Sequence, residues 1–427
     1  MSNGLRGRKA AAAGLLALTL AAGDASPQGS PPAMKLTLDQ AIQLAIAHNH
    51  ALKAARTQIQ QSQAQEITAG LRPNPVFNYD DLFVPITPND FSGTNLNQIT
   101  EFDVGLSYLW ERGHKRQARM RAARDQTAVT QSLVSDNERT LSFNVGQQFI
   151  GVLLAKSNLN FAKQDLQSFQ QTVEISEARY KAGAISEGDL LKIKLQLLQF
   201  QTDVSSAELS LIQGRASLRS LLGYDTVPES YDVAGDLAFV PVHGNREDFQ
   251  ATALGLRPDL HAAVQGITAA QSQHRLAVAN GKRDFSTTLD YTHVSAINSA
   301  SFTFNMEIPI FDRNQGEIAR TQYAIGQSQE TKTAAQETVL TDVSTAYGAA
   351  KEGEKIVQLY QSGYLKQAQD SRDISEYAYQ RGAASLLDFL DAERSYRATQ
   401  LAYRQSLATY MLALEQLREA VGTRTLP

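Results

Sequence analysis

The 427-residue sequence contains no cysteine. Disulfides, thiolate catalysis, cysteine-based zinc sites and a lipidated N-terminal cysteine are therefore excluded. A surplus of either charge is also missing, with 40 Lys and Arg against 44 Asp and Glu, so no basic field points to nucleic acid. The seven histidines (48, 50, 114, 243, 261, 274 and 293) are scattered. His48 and His50 fall on different sides of a helix and make a poor metal pair; solvated side chains explain them more simply. Beyond the N-terminus no segment approaches about 18 uninterrupted apolar residues, so a helical membrane span is not expected.

What is present begins with residues 1–25. Arg6, Arg8 and Lys9 precede an apolar run from Ala10 to Ala22, and Gly23 and Ala25 are spaced for cleavage after Ala25. This is the layout of a secretory signal peptide, with a core too short and too rich in alanine to span a bilayer reliably. A retained N-terminal anchor is the alternative.

The rest of the chain is written twice, about 200 residues apart. "ISEARYKAG" (Ile175 to Gly183) matches "ISEYAYQRG" (Ile374 to Gly382), and "LWERGHKRQAR" from Leu109 falls opposite "IFDRNQGEIAR" from Ile310. The expected division is a first repeat at 34–225, a Pro/Gly-bearing linker at 226–244, a second repeat at 245–422 and a short tail at 423–427. Each repeat reads as helix, two strands, very long helix, tight turn, helix. The helix after the first turn places Leu190, Ile193, Leu197, Phe200, Val204, Ala207, Leu211, Gly214 and Leu218 in alternating steps of three and four. The second copy repeats this from Phe389 to Ala420, and the helix before the first turn carries it from Val145 to Tyr180. Sustained 3–4 spacing is a coiled-coil seam. Arg112 to Lys181 holds no proline, and as one helix it would extend ~100 Å; Arg313 to Arg381 predicts much the same. Helices of that length need neighbours throughout, so the object is a long rod or tube.

The remaining segments alternate with period two. In "ITEFDVGLSYLW", Phe102, Val104, Leu106, Tyr108 and Trp110 oppose Glu101, Asp103, Gly105 and Ser107; "SFTFNMEIPI" does the same through Ile310. "DFSTTLDYTHV" is less strict and "PVFNYDDLFV" the weakest. Such strands suit a transmembrane barrel, and a half-buried soluble sheet gives identical alternation. Four strands cannot close a membrane barrel, since even small ones need about 8. If they span a membrane, several identical chains share one barrel by symmetry. Trp110, Tyr108 and Phe311 suit an aromatic belt there, or simple packing on the helices.

The duplicated turns carry the candidate site. Asp388 and Asp391 stand three residues apart, but no base, nucleophile or metal ligand accompanies them, so a catalytic pair is not supported. Ser385 with Asp388, and Ser186 with Asp189, fit the capping-box spacing at a helix start, as does Thr37 with Gln40. A cap accounts for one acidic residue per repeat, including Asp388 in whole or in part. It leaves Asp391, opposite Lys192 in the first repeat, unexplained. Three-fold symmetry would turn Asp391 into a carboxylate ring, a cation-selective constriction; a solvated aspartate on a helical rod is the plainer reading. Gly183 and Gly382 are expected to supply the left-handed conformation that closes a helix.

Taken in order, the leader, the duplicated plan, "LRPNP" (Leu71 to Pro75) and "IPIFDRNQGEIA" (Ile308 to Ala319) resemble the TolC family of outer-membrane efflux channels, most closely its heavy-metal (CzcC-like) branch. The resemblance implies a mainly α chain with a small antiparallel β part. Long coiled-coil hairpins and four strands per chain would build a homotrimeric twelve-stranded outer-membrane β-barrel, continued by a periplasmic α-barrel. It also implies a periplasmic adaptor, an inner-membrane pump of the RND type, contact with outer-membrane lipid, and neither enzymatic activity nor a cofactor. Residue by residue, it implies an acidic constriction at Asp388 and Asp391 and a closed state involving Tyr379 and Asp189. Adaptor contact would be at Gly183, Ala184 and Ile185, and at Gly382, Ala383 and Ala384. Ala384 departs from a family pattern with a basic residue there, so the closed state would be held differently. Within the family a multidrug channel is the alternative; outside it, a periplasmic coiled-coil adaptor or a helical-scaffold enzyme.

Overall fold

The computed structural model describes residues 34–94, 100–295 and 297–426; the expected signal peptide lies outside the described residues. Thr37 opens the first helix with a complete capping box to Gln40. The chain then runs β1 (Lys35–Leu36), α1 (Leu38–His48), α2 (His50–Gly70), β2 (Val76–Leu82), β3 (Glu101–Trp110), α3 (Lys115–Lys181) and α4 (Glu187–Leu222). After β4 (Asp232–Val233) the plan recurs as α5 (Arg246–Leu256), α6 (Pro258–Asn280), β5 (Phe285–Val294), β6 (Ile297–Met306), α7 (Gln315–Leu359), α8 (Leu365–Gln380) and α9 (Leu386–Val421). No helix among the described residues is long and apolar enough to cross a membrane.

Three expectations need correction. Each repeat starts with two helices rather than one. Asn49 in extended backbone caps α2 through Leu52 N. Its counterpart Arg257 adopts the same conformation before Pro258, where the ring cannot continue the preceding helix. Arg257 is 97 % buried and bonded to Asp259 and Asp342, which locks that corner. The second long rod is broken: α7 ends in a π-helical turn, Tyr360–Tyr364, where Gly363 sits at φ 135°. Finally, the last strand stops at Met306, before the Ile308–Ile310 alternation ends.

The linker is also more than a tether. Its Asp232 and Val233 pair in parallel with Lys35 and Leu36. Tyr231 is fully buried and donates to the Arg215 carbonyl at 2.7 Å, while Lys156 reaches Asp232 at 2.6 Å.

Apolar seams hold the rods. α3 packs on α2, α4, α6 and α9, and α7 on α5, α6 and α9. One core lies where α1, α3, α4 and the linker meet, a second joins α5, α7 and α9, and a third sits at the hairpin tips. Tyr180, the last member of the expected α3 seam, is exposed.

The four longer strands form an antiparallel sheet in the order β2-β3-β5-β6. Its register puts Phe77, Leu106, Leu289 and Phe302 in one row across all four strands, flanked by Tyr79, Val104 and Tyr291 on one side and by Tyr108 and Phe304 on the other. The opposite face carries Asn78, Asp80, Asp103, Gly105, Ser107, Asp290, Ser301 and Thr303. Phe77, Leu106, Leu289 and Phe302 are all more than half exposed, and every residue of β6 is exposed. A soluble half-buried sheet would cover its apolar face; here the apolar row is open while the polar face is mostly half-buried, and among the described residues neither β2 nor β6 has a further strand partner. That is the state of a barrel wall seen one segment at a time.

Candidate functional site

Both hairpin tips are built by the same local rules. Gly183 and Gly382 adopt φ of +71° and +76°, a region that disfavours a side chain. They let Ala184 N reach the Arg179 carbonyl, and Ala383 N the Ala378 carbonyl, each at 2.8 Å. The next helix then starts at a serine in extended backbone, Ser186 or Ser385. Ser385 and Asp388 form a complete capping box: Asp388 N donates to Ser385 Oγ and Ser385 N donates back to Asp388 Oδ2, both at 3.2 Å. In the first tip, Asp189 N donates to Ser186 Oγ at 3.1 Å and the serine hydroxyl donates to Asp189 Oδ2 at 2.8 Å. The reciprocal backbone bond is not part of that cap, and Lys192 approaches Asp189 at 3.6 Å instead. Ser385→Ala should therefore loosen the start of α9 by about 1 kcal/mol. Ser186→Ala should loosen α4 by less, read as faster amide exchange at Leu387 to Phe389 than at Gly188 to Leu190.

Asp391, one turn beyond the cap, points into solvent beside Arg394 at 3.5 Å. Both are about three-quarters exposed, so their pairing is weak. Thus Asp388 has a structural occupation and Asp391 has none of consequence in a single chain. Ala383 is exposed and Ala384 half-buried at the second tip; Ala184 is exposed and Ile185 half-buried at the first.

Tyr379 is 97 % buried. Its ring stacks on Phe389 at 5.5 Å between centroids and 10° between planes. The Arg179 guanidinium lies 5.0 Å from the ring centre and donates to the Tyr379 carbonyl at 2.6 Å. The hydroxyl faces Ser176 Oγ at 3.5 Å. Phe389 is in turn stacked on Phe169, and Phe169 on Phe200 at 4.4 Å. Tyr379 and Asp189, paired by the family resemblance, thus have separate partners within one chain. What the structure brings together at Tyr379 is the docking of the second hairpin on the first.

Just above this aromatic stack lies a charged cluster that sequence reasoning missed. Asp165 and Glu393 are more than nine-tenths buried, and they lie close enough that each carboxyl shifts the other's protonation. Arg397 contacts Asp165 at 2.6 Å and also Asp203, with its guanidinium 4.1 Å above Phe200. Arg372 reaches Glu376 at 3.2 Å and Glu393 at 3.9 Å. Burial, and then the Asp165 carboxylate, push Glu393 up to about 7. Burial likewise raises Asp165, against the pull of Arg397. The only available signal was the i, i+4 spacing of Glu393 with Arg397 and of Arg372 with Glu376, which reads equally well as a solvated helix face.

Two long helical hairpins, joined at their tips and crowned by a four-stranded sheet with a lipid-type outer face, define a subunit of an outer-membrane channel. The chain belongs to the outer membrane efflux protein family, which matches residues 41–224 and 251–423. It is 23 % identical over 388 residues to the cobalt-zinc-cadmium resistance protein CzcC of Cupriavidus metallidurans, covering 88 % of each chain. It is 25 % identical over 409 residues to the pyoverdine export outer membrane protein OpmQ of Pseudomonas putida, covering 90 % of this chain and 84 % of that one. A solved structure of CusC superposes with a TM-score of 0.74 at 22 % identity, over 92 % of this chain and 93 % of the other. The periplasmic adaptor reading is thereby set aside: this is an outer-membrane efflux protein, from a family of transport components.

Proposed function

We propose that three copies close a twelve-stranded barrel and a helical tunnel through which heavy-metal cations leave the cell. The observation that carries this is the sheet, whose apolar row lies open and whose edges at β2 and β6 have no further strand partner among the described residues. Closure is the only way to satisfy those edges inside hydrocarbon. A second seam supports it: Leu191, Leu195, Leu198, Leu209 and Ile212 lie on one 3–4 register of α4, with Thr202 and Ser205 filling its middle, and the five apolar members are each more than half exposed. Ile374 and Tyr377 on α8 are exposed as well, so head-to-tail contacts between copies would unite two different faces and close a ring.

In this reading a periplasmic adaptor grips the tips at Gly183–Ile185 and Gly382–Ala384. It hands over substrate from an inner-membrane pump of the RND type. Asp388 and Asp391 constrict the tunnel, and Tyr379 and Asp189 belong to the closed state. Cation cargo is favoured by the likeness to CzcC; the likeness to OpmQ favours a larger organic cargo as the second reading. Deleting the gene and scoring sensitivity to zinc, cobalt, cadmium, copper and a drug panel separates them. Sensitivity confined to the organic compounds would end the metal reading.

The constriction is tested by conductance. Asp388→Asn with Asp391→Asn should move the reversal potential under a salt gradient toward zero, because the ring charge is gone. An unchanged potential would place both aspartates off the pore.

A further inference from the structure

The cluster above the tips has more acid than base to balance it, with Asp165 and Glu393 buried at its centre and Asp203, Asp373 and Glu376 at its partly exposed rim. α3 contributes Asp165, α4 contributes Asp203, and α8 contributes Arg372, Asp373 and Glu376. α9 contributes Glu393, Tyr396, Arg397 and Arg404. Arg397 is divided between Asp165 and Asp203, and Arg372 among Asp373, Glu376 and Glu393. Two guanidiniums therefore serve five carboxyl groups. Arg404 is held over the Phe161 ring and bonded to Gln400 rather than to an acid, and Tyr396 offers its ring to Arg372 at 4.9 Å. Asp165 and Glu393 meet largely out of water, and the cations beside them, Arg397 on Asp165 and Arg372 near Glu393, are each shared with other acids, so two ionised carboxylates in that position repel.

We propose that Asp165 and Glu393 form a proton-binding site that latches the second hairpin to the first: one shared proton holds the hairpins together, and its loss frees α8 to swing about the Tyr360–Tyr364 break. This rests on the reading of the protein as a gated channel. The proton turns a repulsion into a hydrogen bond across the interface between α3 and α9. α8 is tied to the same interface through Arg372 with Glu393, Thr172 with Glu376 at 3.2 Å, and Arg179 with the Tyr379 carbonyl. At its other end lies the left-handed Gly363. A lever with a hinge at one end and a titratable clasp along its length follows from these positions.

The sign is set by the direction of the shift. Glu393 is raised to about 7 while docked and returns to an ordinary carboxyl value when the hairpins part and water enters. The docked state therefore binds the extra proton. Its advantage is complete below the ordinary carboxyl range and is lost as pH rises through about 7. Acid closes the tip and alkali releases it.

The test uses the full-length assembled protein. In planar bilayers the wild-type open probability should rise about tenfold from about pH 6 to about pH 8. Glu393→Gln, whose amide donates to Asp165 at every pH, should stay low throughout, and Asp165→Asn should lose the pH dependence. In detergent, infrared titration of the wild type should show a protonated-carboxyl band that vanishes through about pH 7, absent from Glu393→Gln. A flat wild-type pH profile, no titrating band, or a band that survives in Glu393→Gln would overturn the latch. If neither variant assembles, the wild-type band and profile alone decide. A wild type without any conductance refutes the channel reading instead, while the band still judges the carboxyl pair.

Discussion

Leu195→Asp combined with Leu198→Asp is expected to leave each chain folded and the assembly absent. In a single chain both leucines are more than half exposed and belong to none of the three cores, so the change costs the isolated fold little. In the proposed ring of copies the same seam would be buried against a neighbour. Each leucine would then contribute about 1.5–3 kcal/mol on burial, and an unpaired carboxylate placed there costs several kcal/mol more. With two sites at each of three interfaces the expected effect is complete loss of the oligomer. Particle mass by light scattering in detergent should fall from three chains to one, with helical circular dichroism retained. A variant that remains trimeric would show that this face of α4 is not between copies.

Phe389→Ala should produce the largest loss at the tip. The ring is 99 % buried and stacks on both Tyr379 and Phe169, so its removal leaves a cavity between the two hairpins. Large-to-small changes of this kind cost about 3–5 kcal/mol. Because the chain is a long rod with separate cores, the loss should be local rather than global. Amides of α8 and of Leu386 to Leu390 should exchange at least a hundredfold faster, while those around Val145 and Val152 hold. Phe389→Leu, which keeps most of the volume, should cost under about 1.5 kcal/mol. A tenfold change or less for Phe389→Ala would mean that the stack is not what docks the hairpins.

The features legible in the sequence were those governed by local periodicity. The 3–4 seams of α4 and α9, the two-residue alternation of β3 and β6, the serine caps and the tip glycines all follow from spacing along one segment. The alternation could not say whether the sheet was covered; only the bare apolar row from Phe77 to Phe302 could. The break at Tyr360–Tyr364 was hidden because no proline marks it and a lone glycine is tolerated inside a helical pattern. The β1–β4 ladder is two residues long, too short to have a period. The Asp165–Glu393 cluster was invisible for a different reason: its members come from four helices, and their burial is a property of how those helices pack.

The free edges of the sheet also constrain the order of events in biogenesis. A lone copy entering the bilayer would carry the unpaired N–H and C=O groups of β2 and β6 into hydrocarbon, at several kcal/mol for each group. If copies share one barrel as proposed, insertion by single chains is strongly disfavoured, and membrane entry and association are expected to be one event. Its rate should fall more steeply than in proportion to dilution of the chain. A cell that lowers expression of this protein by a given factor would lose channels by a larger one.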